Sequence, residues 1–143
     1  KIYSFEPSKL NFNILEKNLS YSGLLNTKVY LENIGLGNEK KNLIMKQLDE
    51  SSSSTINDIN TSSKYFKKKS LLLFKKKKFF SEIQIKQTTL FDYINENKIK
   101  HIDFLKIDTE GYEMNILQGL KDYFCKVSLI MFEHHYHDLY LHY

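Results

Sequence analysis

The chain of 143 residues contains no alanine, arginine or tryptophan, and only one cysteine and one proline. The single cysteine, Cys125, cannot form a disulfide within the chain, so a reducing compartment is expected and a cytoplasmic location is predicted. No apolar run approaches the roughly 20 residues of a membrane-spanning helix, and the first residues lack the apolar core of a signal peptide. The composition is therefore that of a soluble globular protein without a membrane span.

The net charge of +4 comes from one segment and not from the chain as a whole. Between Lys64 and Lys78 there are eight lysines and no acidic residue, whereas the remainder holds 13 lysines and 17 acidic residues. Such a run is typical of a solvated loop, and contact with a membrane surface or polyanion is the less favoured alternative. We therefore expect no nucleic-acid partner, and we interpret residues 50–78 as a low-complexity insertion rich in serine and lysine.

Apolar periodicity predicts strands and helices in alternation. Strands are predicted at residues 1–5, 27–36, 42–48, 81–87, 101–107 and 127–133, and helices at 6–23, 88–98 and 114–124. A strand–helix–strand unit implies parallel pairing and a right-handed crossover. The predicted fold is an α/β doubly wound, mostly parallel sheet, in a single partial domain that spans residues 1–143.

The same periodicity predicts which side chains face the core. These are Leu10, Ile14, Leu15 and Leu19 in the first helix, Leu90, Tyr93 and Ile94 in the second, and Ile116, Leu117, Leu120 and Phe124 in the third. Pro7 suits the first turn of its helix and Gly23 the end, while Thr88 or Thr89 can cap the second helix. The uninterrupted apolar run at 127–133 is typical of a strand buried on both faces.

Carboxylates follow three of the predicted strands. Glu6, Asp108 and Glu133 each stand at a strand end, and Glu110 lies two residues after Asp108. Ligands of doubly wound sheets bind beyond the carboxyl ends of the strands. We therefore expect a polar, hydroxyl-rich or cationic ligand at this edge.

Glu6 has two interpretations. An acid at the end of the second strand of a nucleotide-binding unit binds the ribose hydroxyls, about 20 residues after a glycine-rich loop. Counting back from Glu6 passes the start of the chain, so we expect that loop upstream of Lys1 and a chain that is a fragment. The alternative is that Glu6 only stabilises the N-terminus of the following helix.

A histidine cluster, EHHYHD, occupies residues 133–138. Metal binding is one interpretation, but the cluster lacks the i, i+4 histidine spacing of helical zinc sites, and we predict no metal site. A second interpretation is that a histidine of the cluster, with His135 as the candidate, acts as a general base. In the third, these are loop histidines without a catalytic function.

Four segments in a fixed order carry a family resemblance. YSFEPSKLNFNILEKNL, QTTLFDYI, IDFLKIDTEGYEMNILQGL and IMFE together resemble the FkbM family of S-adenosylmethionine-dependent methyltransferases. The resemblance covers most of the chain except the insertion and the last residues. Two departures are Phe91, which interrupts the family's T-L-D segment, and the family's glycine-rich cofactor loop, which is absent from the sequence.

The resemblance implies a Rossmann-like class I methyltransferase fold and methyl transfer to a hydroxyl oxygen of a saccharide or natural-product acceptor. It assigns Glu6 to the ribose of the cofactor, and Asn33 and Ile34 to its adenine. Asp108 and Glu110 are assigned to positioning the cofactor and the acceptor, and either is a candidate base. Without the glycine-rich loop, the chain by itself is expected to be inactive.

Two residues support this assignment. Lys106 lies on the same side of the strand as Asp108, so we expect this candidate catalytic residue to pair with one of the two carboxylates, Asp108 or Glu110, and to hold it ionised. Gly111 is expected to let the start of the helix pass close to a ligand or a strand.

Two other functions stay open at this point. One is a degenerate, non-catalytic Rossmann-like domain that binds a partner through its lysine-rich segment. The other is a nucleotide-sugar enzyme such as a dehydrogenase or epimerase, which would use Glu6 but gives residues 106–113 no particular role. A glycine-rich strand and loop about 15 to 20 residues before Glu6 would favour an enzyme.

Overall fold

The structure, a computed structural model, describes residues 1–48, 56 and 80–133. In chain order the elements are β1 (Ile2–Phe5), α1 (Lys9–Tyr21), β2 (Val29–Glu32), β3 (Gly35–Leu36), β4 (Lys41–Leu48), β5 (Phe80–Thr88), α2 (Leu90–Glu96), β6 (Leu105–Ile107), α3 (Glu113–Gln118), a 3₁₀ helix (Lys121–Lys126) and β7 (Ile130–Phe132). Apart from residue 56, the predicted insertion at 50–78 lies outside the described residues. No helix within the described ranges is long and apolar enough to cross a bilayer.

The strands form three small sheets within the described residues. β1 pairs in parallel with β2, and β6 pairs in parallel with β7. In the third sheet, β5 lies between β3, its parallel neighbour, and β4, its antiparallel neighbour. The architecture is therefore mixed α/β with small parallel sheets. The parallel pairing predicted for the first strand–helix–strand unit is confirmed, whereas a complete doubly wound sheet stays a prediction.

Helix α1 begins at a buried serine. Ser8 is its N-cap and accepts a hydrogen bond from Asn11 N at 3.3 Å. The Ser8 hydroxyl also donates to Gln47 Oε1 on β4 at 2.6 Å, which connects the helix start to the third sheet. Pro7 thus precedes the N-cap and does not lie in the first turn as predicted. Gly23 follows the helix with a φ of +69°, a conformation that favours glycine at a helix end.

The core-facing side of α1 differs from the prediction. Phe12 is buried and Leu15 and Leu19 are half-buried, but Leu10 and Ile14 are 56% and 53% exposed. The predicted stripe is therefore wrong for Leu10 and Ile14. Because a helix turns about 100° per residue, a side chain two positions from Phe12 points almost to the opposite side. Once Phe12 packs inward with Leu15 and Leu19, Leu10 and Ile14 face outward.

The strand predicted at 27–36 is divided between two sheets. β2 pairs with β1 and β3 pairs with β5, and the chain changes sheets at Asn33 and Ile34. After this change of sheets, the backbone packs closely against its neighbours at Gly37. A Cβ at Gly37 would overlap the Gln87 side chain, and a Cβ at Gly119 would overlap the Gly37 carbonyl. Glycine at both positions lets the end of α3 contact the turn after β3.

The hydrophobic core lies among α2, β6 and α3. It consists of Leu90, Ile94, Ile107, Tyr112, Ile116, Leu117 and Leu120. The inward positions predicted for the second helix are confirmed, as are Ile116, Leu117 and Leu120 in the third. Of the two predicted caps, Thr89 is the N-cap of α2 and accepts a hydrogen bond from Asp92 N at 3.0 Å.

Three expectations near the end of the chain are wrong. Phe124 is 46% exposed, because α3 ends at Gln118 and the left-handed Lys121, with a φ of +49°, turns the chain into a 3₁₀ helix. β6 is shorter than the predicted strand at 101–107. β7 is not buried on both faces: Met131 is 49% exposed, and β7 pairs with β6 alone among the described residues.

Tyr93 connects α2 to the first strand pair. Its ring makes edge-to-face contacts with Phe5 at 4.8 Å and Tyr3 at 5.8 Å between centroids. Its hydroxyl donates to Glu32 Oε1 at 2.9 Å. Burial raises the pKa of this hydroxyl, and the Glu32 carboxylate raises it further. Since Ile94 packs into the core, α2 contacts both β1–β2 and the cluster around β6.

We predict that Tyr93→Phe lowers the free energy of unfolding by about 1–2 kcal/mol, because a partly buried carboxylate loses its donor. Urea denaturation measures this change. Tyr123→Phe is the matched control, since the Tyr123 hydroxyl also donates to a side chain, Asn95 Oδ1, but at an exposed position. It should cost no more than about 0.5 kcal/mol. Equal losses in the two variants would contradict a special role for the Tyr93–Glu32 contact.

Candidate functional site

The first group of predicted site residues lies at the carboxyl end of β1 and β2. Glu6 Oε1 accepts a hydrogen bond from Ser8 N at 2.8 Å. Asn33 Nδ2 donates to the backbone carbonyls of Glu6 at 2.8 Å and Pro7 at 3.1 Å. The structure therefore brings Glu6 and Asn33 together, and their contacts fix the turn between β1 and α1. The alternative interpretation of Glu6 requires a contact with the start of α1, and the hydrogen bond from Ser8 N is such a contact.

Glu6 has one anchored oxygen and one accessible oxygen. The side chain is half-buried, and no described residue hydrogen-bonds its Oε2. Burial raises the pKa of Glu6, and the Ser8 N–H opposes this effect by stabilising the charged form. A carboxylate held in this way can accept hydrogen bonds from hydroxyl donors without reorienting.

The second group lies at the carboxyl end of β6. Lys106 Nζ donates to Asp108 Oδ2 at 2.6 Å, as their position on one side of the strand predicts, and both side chains are about half exposed. Glu110, half-buried, has a φ of +53°, and Gly111 has a φ of +96°. Two successive left-handed residues turn the chain sharply between β6 and α3. Glycine suits this conformation, whereas glutamate adopts it rarely.

Glu113 contacts this candidate site, and the sequence analysis did not name it. Its side chain is buried, and its Oε1 accepts hydrogen bonds from Thr109 N at 3.0 Å, Thr109 Oγ1 at 3.2 Å and Gly111 N at 3.0 Å. The carboxylate therefore holds the loop that carries Asp108 and Glu110. The available signal was an acidic residue in the first helical turn, directly after a glycine-containing loop.

The remaining predicted residues occupy different places. Ile34 is half-buried between β2 and β3. Glu133 is exposed after β7, and its backbone N–H donates to Ile107 O at 3.3 Å, so it stands at the same end of the β6–β7 pair as Asp108. His135 lies outside the described residues. Within residues 1–48, 56 and 80–133, no three His, Cys, Asp or Glu side chains are grouped as a metal site requires.

An open groove with a volume of about 460 Å³ borders Asn33. It runs between the start of α1 and the β4–β5 hairpin. Its lining includes Lys9, Asn33, Gln47, Gln84, Ile85 and Lys86. Amide and ammonium groups over an aliphatic surface can hydrogen-bond a hydroxylated molecule and contact its apolar faces.

We predict that Glu6→Gln changes the pH dependence of stability. Because the pKa of Glu6 is raised on folding, the stabilising contribution of its protonated form is complete below the unfolded pKa and is lost as pH rises through the folded pKa. The variant cannot ionise, so its free energy of unfolding should rise relative to the unchanged protein as pH rises above about 4, the ordinary pKa of a glutamate in the unfolded chain. Urea denaturation at a series of pH values measures the difference.

The control for this prediction is Glu16→Gln, which removes a carboxylate at an exposed position of α1. A difference between Glu6→Gln and the unchanged protein that is constant with pH would contradict the effect of burial on Glu6.

Comparison with known proteins shows that the chain is similar in sequence to methyltransferases. Methyltransferase 1 from Beauveria bassiana (strain ARSEF 2860) is 26% identical over 125 residues. The alignment covers 85% of the chain and 49% of the relative, so the chain spans about half the length of that relative. No solved structure matches the chain. The model of the methyltransferase FkbM domain matches residues 1–142, and the chain therefore belongs to the FkbM methyltransferase family.

Proposed function

We propose that the protein is an S-adenosylmethionine-dependent methyltransferase that methylates a hydroxyl oxygen of a saccharide or natural-product acceptor. Membership of the FkbM family supports a methyltransferase in general. The observation that carries the finer proposal is Glu6, a carboxylate at the end of a parallel strand with one oxygen anchored by Ser8 N. A strand-end acid of this kind is the group that accepts hydrogen bonds from both hydroxyls of a nucleoside ribose.

We also infer that the β1–β2 and β6–β7 pairs belong to one Rossmann-like sheet. Both pairs are parallel, and the acids Glu6 and Asp108 directly follow β1 and β6. In such sheets, the carboxyl ends of the strands line one edge. Glu6, Asp108 and Glu110 would then belong to a single site.

The residues at β1 and β2 suit the cofactor. Glu6 Oε2 is available to the ribose hydroxyls, and Ile34 offers an apolar contact to the adenine. Asn33 has its amide nitrogen bound to the Glu6 and Pro7 carbonyls, which leaves its Oδ1 for a donor on the base. Asn33 thus fixes the turn that carries Glu6, in addition to its proposed place beside the adenine.

The residues after β6 suit the reacting end. The cofactor supplies a methyl group bonded to a positively charged sulfur. Asp108 and Glu110 would offer carboxylates to this positive charge and to an acceptor hydroxyl, and either could take the hydroxyl proton. Lys106 holds the Asp108 carboxylate in place at 2.6 Å. His135 stays an alternative base.

The groove beside Asn33 supports a hydroxyl-rich acceptor. Its amide and lysine side chains offer both donors and acceptors next to the proposed cofactor residues. We further propose a cytoplasmic location, which the exposed, unpaired thiol of Cys125 supports.

We predict that the natural full-length protein binds S-adenosylhomocysteine and that Glu6→Ala weakens this binding about 10- to 100-fold, as expected for lost hydrogen bonds to a charged group. Isothermal titration calorimetry measures the affinity. Glu16→Ala, at an exposed position of α1, is the matched control and should bind as the unchanged protein does. No binding by the folded full-length protein would contradict the proposed cofactor and favour a non-catalytic domain.

We further predict transfer of labelled methyl from S-adenosylmethionine to the oxygen of a hydroxylated acceptor, with a strong decrease in Asp108→Asn. The amide keeps the size of the side chain but cannot act as a base or carry a negative charge. A panel of saccharides and hydroxylated natural products, followed by mass spectrometry of the product, identifies the methylated atom. Methyl transfer to nitrogen alone would contradict the O-methylation proposal.

A further inference from the structure

The Glu113 carboxylate contacts the loop before α3 and not the helix that contains it. Tyr112, the N-cap of α3, makes no side-chain capping hydrogen bond. Glu113 nevertheless directs its Oε1 backward to Thr109 N, Thr109 Oγ1 and Gly111 N, all of which precede the helix. Three donors thus converge on one oxygen of a side chain that is only 6% exposed.

These donors lie on both sides of Glu110. Its left-handed backbone, with a φ of +53°, is disfavoured for a residue that has a Cβ. Hydrogen bonds to the residue before it and the residue after it restrain this conformation. Without an acceptor at the position of Glu113 Oε1, the N–H groups of Thr109 and Gly111 would lose a common partner. The backbone of residues 109–111 would then no longer be held in this conformation by Glu113.

We propose that Glu113 is a positioning residue of the methyl-transfer site, which fixes loop 108–112 and thereby orients Asp108 and Glu110. This inference rests on the proposed function. It assigns Glu113 no contact with cofactor or acceptor. Its effect is transmitted through the backbone amides of Thr109 and Gly111, which flank Glu110.

Three substitutions of Glu113 distinguish the effect of its side-chain length from the effect of its charge. Glu113→Gln keeps an acceptor oxygen at the same distance from the backbone and removes the charge. Glu113→Asp keeps the charge and shortens the side chain by one methylene, and Glu113→Ala removes the acceptor. Because the proposed role depends on the position of the acceptor oxygen, we expect Glu113→Gln to preserve the loop conformation better than Glu113→Asp does. Leu117→Ala, on the core side of the same helix, is the control for loss of stability alone.

The first measurement requires no ligand. Nuclear magnetic resonance of the full-length protein, with Thr109 and Gly111 amides assigned, reports their hydrogen bonds to the carboxylate. We expect both amide protons to move upfield in Glu113→Ala and Glu113→Asp, to stay close to their positions in Glu113→Gln, and to be unchanged in Leu117→Ala. Unchanged amide shifts in Glu113→Ala would overturn the proposal.

The second measurement is S-adenosylhomocysteine binding by calorimetry in the same variants. We expect Glu113→Ala to bind about tenfold or more weakly, because Asp108 and Glu110 are no longer held in position before the ligand binds. Leu117→Ala should bind as the unchanged protein does. Altered amides with unchanged binding would overturn the positioning role and leave a structural one. If the unchanged protein itself does not bind, the proposed cofactor is contradicted, and a positioning role at that cofactor is overturned with it. The amide shifts still report separately whether Glu113 fixes the loop.

Discussion

Helix α2 is the element on which the arrangement of the described chain depends. Adjacent residues on it serve different neighbours: Tyr93 contacts Phe5 and Glu32 on the first strand pair, while Ile94 packs in the core with Ile107 of β6. A helix of seven residues is too short to be stable by itself, so its conformation depends on these contacts and on the cap at Thr89. The two proposed halves of the site are thus connected through one helical segment.

The turns after β1 and β6 are fixed in opposite ways, one by a side chain that donates hydrogen bonds and the other by a side chain that accepts them. After β1, an amide side chain, Asn33, donates to two backbone carbonyls, and after β6 a carboxylate, Glu113, accepts from two backbone N–H groups. Each side chain hydrogen-bonds backbone polar groups that lie beyond the end of a strand. Glu6 and Asp108 therefore project from turns whose backbones are fixed by neighbouring side chains, as a preorganised site requires.

Sequence patterns predicted those features that depend on local periodicity. The inward side of α2 and its cap followed from apolar spacing and a threonine, and the Lys106–Asp108 pair followed from alternation along a strand. Residues 9–21 were ambiguous because apolar residues occur on both sides of the helix. Only the packing of Phe12 decides which side faces inward.

Other features depend on backbone conformations or on distant contacts that no local pattern contains. Phe124 does not face the core as predicted, because Lys121 has a left-handed backbone conformation and the chain changes direction there. The change of sheets at Asn33 depends on pairing between β3 and β5, which lie more than 40 residues apart. The part that Glu113 plays depends on the conformation of Glu110, and sequence alone identifies Glu113 only as a residue in the first turn of a helix.

The ladder between β4 and β5 has a consequence for variation in chain length. The two strands pair without interruption from Lys41 opposite Gln87 to Leu48 opposite Phe80, so the sheet holds the two residues that flank the segment 49–79 side by side. Closing a longer loop between fixed ends costs only about 0.6 kcal/mol for each doubling of its length. Insertions between Leu48 and Phe80 should therefore leave the pairing of β4 with β5 in place, whereas a deletion that includes Ile56 would remove a side chain that packs against the core.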